Sequence, residues 1–403
     1  MRRLAGDCRA WLLALVLALA ACSSNGGEQP AAAPPLAQPP APTRPAPATA
    51  IAPPARPTAA TIPTISPIPT VAPSPTSDPW AQYEPYTIEA LRNRAYGTEG
   101  QIEIVRVMEE TRNFTRYLIA YRSDGLRITG MMNRPTSAGP FPVVILNHGY
   151  YPLDVYQTGN GSKLAADYLA DRGFLTLSPD FRSHAGSDDA PNLFRAGHVI
   201  DTLNLIPLAQ KLPDAQPGKV GMWGHSNGGA ITAKSIVISD QIAAAVIYSP
   251  ASSNITEDYL FRVERSRSRS GQPPGQRTGV IDRVNIEFPV KPEEAPDLYE
   301  RLSPLPYLKN VTAPIQIHWG TADETVPYKW PGDLLEGLKA AGKQVEYFEY
   351  AGQPHSFNGE ANQLYLKRTA EFFARYLRPG SGFTVPPLVF QRGLPLAQSH
   401  RAH

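Results

Sequence analysis

From about residue 80 the chain alternates short apolar runs with longer stretches whose apolar residues recur at helical spacing. Val143-Val144-Ile145-Leu146 is apolar without interruption, as a strand covered on both faces must be. Phe174–Ser178, Val220–Trp223, Ala243–Tyr248, Ile315–Trp319 and Val345–Tyr350 read as further strands. Ser162–Asp171, Leu193–Leu212 and Asn227–Ile238 read as helices, the second broken or kinked near Pro207. Upstream, Gln101–Glu110, Phe114–Tyr121 and Leu126–Asn133 read as antiparallel strands, with Asp124-Gly125 as a hairpin turn. Strand alternating with helix predicts an α/β domain: a mostly parallel central sheet, flanked by helices and joined by right-handed crossovers.

Residues 252–306 break this rhythm. They are too long for a plain connection between parallel strands and read as a cap-like insertion over the sheet. Arg262, Arg265, Arg267 and Arg269, interleaved with serines, read as a solvated loop. No internal period is visible, which excludes solenoids and propellers.

Composition changes the picture at the N-terminus. Most of the surplus in 43 prolines lies there. Arg2 and Arg3 precede the apolar run Trp11–Ala20, which is too short to span a bilayer and reads as a signal peptide over 1–21. Leu19-Ala20-Ala21-Cys22 resembles the bacterial lipobox, so Cys22 is the expected lipidation site. Residues 22–79, rich in Pro, Ala and Thr, cannot bury enough surface to order themselves and read as a tether. A globular domain is expected over 80–380 and a tail over 381–403. The expected location is extracytoplasmic, anchored to the bacterial membrane or envelope through the lipid alone. Formal net charge is +2. Without residues 1–21, which carry Arg2, Arg3, Arg9 and Asp7, the charges balance. That argues against a nucleic-acid partner. Cys8 and Cys22 are the only cysteines, so neither a disulfide framework nor a cysteine-rich zinc site is available. The histidines show no metal-site spacing, and no metal or organic cofactor is expected.

The strongest chemical signal is Gly224-His225-Ser226-Asn227-Gly228-Gly229, between an expected strand and an expected helix. In that context G-x-S-x-G is a nucleophile elbow: small neighbours permit a strained turn, and the helix N-terminus favours developing negative charge. His225 fills the variable position of the motif. A serine hydroxyl needs a base, and the expected chain order is serine, acid, histidine. Asp323 and His355 each follow the C-terminal end of an expected strand, on the rim that holds Ser226. Glu324 and Asp333 are rivals for the acid. The Asn227 N–H is one expected oxyanion donor, and the second comes from the loop Asn147-His148-Gly149-Tyr150-Tyr151, where Tyr150 offers an N–H, a hydroxyl or both. His148 reads as structural. Arg182 either lines the site or holds its own loop, and His184 and His198 have no identifiable partner.

Tyr121–Gly130, Gly139–Gly149, Trp223–Gly229 and Gly320-Thr321-Ala322-Asp323 with Val326-Pro327 together resemble the catalytic domain of the prolyl oligopeptidase family. The resemblance runs from about Phe114 to Leu377. It implies an α/β-hydrolase fold, with Ser226 as nucleophile, Asp323 and His355 as its partners, and the Tyr150 hydroxyl as oxyanion donor. The sequence departs from the family in having no propeller and no evident acidic pair for a peptide amino terminus. The expected function is a tethered serine hydrolase that cleaves an ester or a peptide bond through an acyl-serine. The alternative is a carboxylesterase acting on small acyl or carbohydrate esters. A more remote one is a non-catalytic binding module.

Overall fold

The computed structural model describes residues 78–268 and 278–378, together with the strand Phe390–Gln391. The expected leader over 1–21, Cys22, the tether up to residue 77 and the rest of the 381–403 tail lie outside the described residues.

Among the described residues, ten strands form one sheet: β1 (Glu103–Glu110), β2 (Phe114–Ser123), β3 (Leu126–Pro135), β4 (Val143–Asn147), β5 (Leu175–Pro179), β6 (Val220–His225), β7 (Ile242–Tyr248), β8 (Ile315–Gly320), β9 (Val345–Tyr350) and β10 (Phe390–Gln391). Their spatial order is β1-β2-β3-β5-β4-β6-β7-β8-β9-β10. The β1–β2, β2–β3 and β3–β5 pairs are antiparallel. All the others are parallel, as the alternating pattern predicts. This is an α/β-hydrolase fold.

The helices are α1 (Ile88–Asn93), α2 (Lys163–Ala170), α3 (Ala196–Ala209), α4 (Asn227–Ile238), α5 (Ile255–Ser268), α6 (Thr278–Glu287), α7 (Pro296–Leu302), α8 (Lys329–Ala340) and α9 (Gly359–Leu377). The two-residue period of each central strand divides its side chains between two layers. Val143 and Ile145 of β4 join Leu203 of α3, Ile231 of α4 and Leu334 of α8. Val144 and Leu146 join Leu169 of α2 and Phe372 of α9. Strands buried on both faces need continuous apolar runs, which is why these strands stood out.

Two expectations change. The helix expected over Leu193–Leu212 runs unbroken through Pro207, which lies in its last turn. Its irregularity falls at the start, where Phe194 (φ 46°) and Arg195 (φ 60°) turn left-handed before α3 begins. The arginine run also does not begin as a loop: Arg262 and Arg265 stand on α5, with Arg265 exposed. The insertion folds as α5, α6 and α7 around a small core shared with the turn before α3, in which Phe288 and Tyr299 pack on Phe194 and Tyr259 packs on Phe288 and Tyr299. Arg262 is half-buried on α5, because Asp258 one turn earlier takes its charge inward. The side chains of Arg267 and Arg269 lie outside the described residues.

Candidate active site

β6 ends in His225, and Ser226 stands between it and the first turn of α4 with φ 57° and ψ −120°. A non-glycine residue holds this conformation only where its surroundings over-determine it. They do so here. The Ser226 N–H donates to the Tyr248 carbonyl at 2.9 Å, and the Ser226 carbonyl accepts from the N–H of Ala251 at 3.0 Å. The flanking glycines permit the fit: a Cβ on Gly224 would lie 2.0 Å from the Gly228 carbonyl oxygen, and one on Gly228 would lie 1.9 Å from that of Asn147. The N–H of Asn227 is the first of α4, with no partner inside the helix. The loop after β4 presses on the serine. A Cβ on Gly149 would stand 3.4 Å from that of Ser226, which brings the half-exposed Tyr150 to the same cavity.

Asp323 follows β8 and His355 follows β9. His355 Nδ1 lies 2.9 Å from Asp323 Oδ2 and 3.1 Å from Oδ1. Oδ1 also accepts the N–H groups of Thr325, at 2.9 Å, and Val326, at 2.8 Å. Burial pushes the Asp323 carboxyl upward, but bonds from His355 and these backbone donors outweigh it and hold the group below its ordinary value. Ser226, His355 and Tyr150 all line one cavity of about 590 Å³. Glu324 instead accepts the backbone N–H of His355 at 3.2 Å, and Asp333 pairs with Lys329 at 2.5 Å. Of the three acids, Asp323 is the one that meets the imidazole.

His225 does more than fill its place in the motif. Its ring lies 4.7 Å from that of His355, and its Nε2 is 3.1 Å from the His355 carbonyl oxygen. Burial, then the charge of His355, pushes its pKa down to about 3, so the ring is neutral. His148 is buried between Tyr156 and Phe181, at centroid distances of 4.4 and 4.6 Å, and burial takes its pKa to about 3 as well. Arg182 holds its own loop by two bonds to Asp201, at 2.8 and 3.0 Å. His184 and His198 belong to the aromatic cluster around His148, with His184 5.3 Å from His148 and 5.5 Å from His198. Among the described residues, no group of three His, Cys, Asp or Glu is placed to hold a metal ion.

Sequence reasoning missed Arg195. It is buried, donates from Nη2 to Asn227 Oδ1, and pairs through Nη1 with Glu287 of α6 at 2.8 Å. Its Nε lies 3.8 Å from Asp258 of α5. Burial lowers its pKa, and Arg262 adds repulsion. Arg262 also reaches Asn227 Oδ1, at 3.4 Å. The available signals were local: Asp258 with Arg262, and Arg283 with Glu287, stand four residues apart on their helices.

The profile of the prolyl oligopeptidase family matches residues 162–380, more than half of the chain. The chain belongs to the prolyl oligopeptidase family. It is 23% identical over 273 residues to the uncharacterized peptidase YtmA of Bacillus subtilis, covering 67% of this chain and 98% of that protein. It is 27% identical over 222 residues to the esterase EstD of Thermotoga maritima, covering 50% of this chain and 51% of that one. The fold is similar to that of acetyl xylan esterase 1 from Thermoanaerobacterium sp. JW/SL YS485, with a TM-score of 0.53 at 14% identity, over 73% of this chain and 94% of the other. This member of the family is therefore a serine hydrolase, with relatives named as peptidase and as esterase.

Proposed function

We propose that Ser226 is the nucleophile of an ester or amide hydrolase, with His355 as its base and Asp323 as the orienting acid. The observation that carries this reading is the His355–Asp323 contact, set in one cavity with a serine held at a strained elbow. Ser226 Oγ attacks the carbonyl carbon and its proton passes to His355 Nε2. Asp323 accepts the Nδ1 proton, fixes the tautomer and stabilises the imidazolium. The oxyanion is received by the Asn227 N–H and by Tyr150, the N-terminus of α4 adding its dipole. The tetrahedral species collapses, His355 gives its proton to the leaving oxygen or nitrogen, and water then releases the acyl group by the same steps in reverse order.

The family and YtmA support a peptide bond as target. EstD supports the second reading, a carboxylesterase. The leader and lipobox sequence support a protein anchored through Cys22 and held outside the cytoplasm by the tether. The test is hydrolysis of short-chain 4-nitrophenyl esters beside aminoacyl and prolyl 4-nitroanilides, with Ser226→Ala as control. Turnover of esters alone selects the esterase, and turnover of anilides as well selects the peptidase. Turnover that survives in Ser226→Ala overturns the assignment of the nucleophile.

A further inference from the structure

The cavity beside Ser226 has two unlike walls. One is apolar: Phe261 of α5 packs edge to face on Trp330 of α8 at 4.9 Å, next to Val326 and Ala251. The other carries guanidinium groups from the cap, Arg262 and Arg265 of α5 and Arg283 of α6. Arg195 stands behind them.

The acids on this wall are already engaged. Asp258 takes the Nε of Arg262 at 2.7 Å and lies 3.8 Å from that of Arg195. Glu287 takes Nη1 of Arg195 at 2.8 Å and lies 3.6 Å from the Nε of Arg283. Both carboxylates are nearly fully covered, at 5% and 10% side-chain exposure. Among the described residues, two buried carboxylates therefore face the three guanidinium groups of Arg195, Arg262 and Arg283. Asp154 also lines the cavity, exposed to solvent and screened by it. A guanidinium has five donors in a planar fork, so Arg262, engaged through Nε and through Nη2 to Asn227, and Arg283, facing Glu287 through Nε, each keep further N–H groups for a planar anion.

We infer that this cavity takes substrates carrying a carboxylate, which Arg262, Arg265 and Arg283 of the cap receive while the rest of the chain lies on the Phe261–Trp330 wall. The inference rests on Ser226 being the nucleophile in that cavity. It names the substrate class and leaves the bond, ester or amide, as argued above. The carboxylate can sit on the acyl side or on the leaving side of the scissile bond, since the cavity holds both Asn227 and His355.

Binding and turnover test it separately. Calorimetric titration of the full-length Ser226→Ala protein with adipamic acid and with hexanamide compares two six-carbon amides that differ by a terminal carboxylate. Adipamic acid is expected to bind about 10- to 100-fold more tightly, the difference made by a charge-assisted hydrogen bond. Raising salt from about 0.05 to about 0.5 M should shrink that ratio in the unaltered cap. Arg265→Gln and Arg283→Gln, at partly exposed positions, should each reduce it. Equal binding of the two amides, or a ratio indifferent to both variants and to salt, overturns the inference. Turnover by the wild-type protein then places the group. A preference for mono-4-nitrophenyl adipate over 4-nitrophenyl hexanoate puts the carboxylate on the acyl side. A preference for 4-acetoxybenzoate over phenyl acetate puts it on the leaving side. Turnover of the neutral esters that Ser226→Ala does not abolish defeats the nucleophile assignment, an outcome distinct from the binding result.

Discussion

His225 Nε2 lies 3.1 Å from the backbone carbonyl oxygen of His355, and the two imidazoles stand 4.7 Å apart. A neutral His225 donates that bond, so the residue before the serine props the loop that carries the proposed base. Replacing it removes the prop and leaves the Asp323 contact in place. His225→Ala is expected to lower kcat about 10- to 100-fold, with KM changed much less, as a displaced base would. His225→Phe should fall between the two, keeping the ring contact without the hydrogen bond. A KM effect equal to the kcat effect would show that His225 acts on substrate instead.

Asp323→Asn should cost about 10⁴-fold in kcat, because an amide favours the wrong tautomer of His355. Asp333→Asn should leave turnover within about twofold, since Asp333 pairs with Lys329 on the outer face of α8 and surface changes of this kind are nearly neutral. The steady-state constants of the two variants, measured side by side, decide which acid serves the histidine.

Lys234 is fully covered beneath the elbow, and burial, reinforced by Arg195, pushes its ammonium down to about 7. The unfolded chain binds this proton up to about pH 10.4. Between these values the unfolded state holds more protons, so stability rises with pH. The cost of burying the cation is complete below about pH 7 and gone above about pH 10.4. Lys234→Met should therefore raise Tm most at pH 6 and below, with the advantage closing as pH approaches 10. A constant difference in Tm across that range would contradict this account.

Gly228→Ala should prevent stable folding. Its Cβ would lie 1.9 Å from the carbonyl oxygen of Asn147, where backbone meets backbone and neither can yield cheaply. The expected loss exceeds about 4 kcal/mol, read as loss of soluble protein or of a cooperative melting transition.

Cys22→Ala should move the protein from the membrane fraction to the soluble fraction of cells that express it with its leader. Retention in the membrane would remove the lipid anchor from the proposal.

The central strands and the elbow were legible in the sequence because their causes are local. Val143–Leu146 must be apolar throughout if helices cover both faces of β4, and Gly224 and Gly228 must be small where backbones touch. Asp323 and His355 could be placed because they follow β8 and β9, neighbouring strands that run the same way. The cap was not legible to the same depth. Arg195 meets Asn227 from 32 residues away and Glu287 from 92, and no periodicity records such distances. The left-handed turn at Phe194 and Arg195 also escaped, since neither is the glycine that usually marks positive φ. The ring of Phe194 is held there by Tyr83, Phe288 and Tyr299, three contacts far apart in the chain.

The bond from Arg195 to Asn227, and the pairing of Arg195 with acids on α5 and α6, bears on how this scaffold can be recombined. A chimera that exchanged residues 252–306 for a relative's segment would strip Asp258 and Glu287 from a buried guanidinium and leave an uncompensated cation against the elbow. The donor segment would have to bring its own acids, or the turn before α3 would have to be rewritten with it. The insertion and that turn are one structural module, though Ser252 stands 57 positions after Arg195 in the chain.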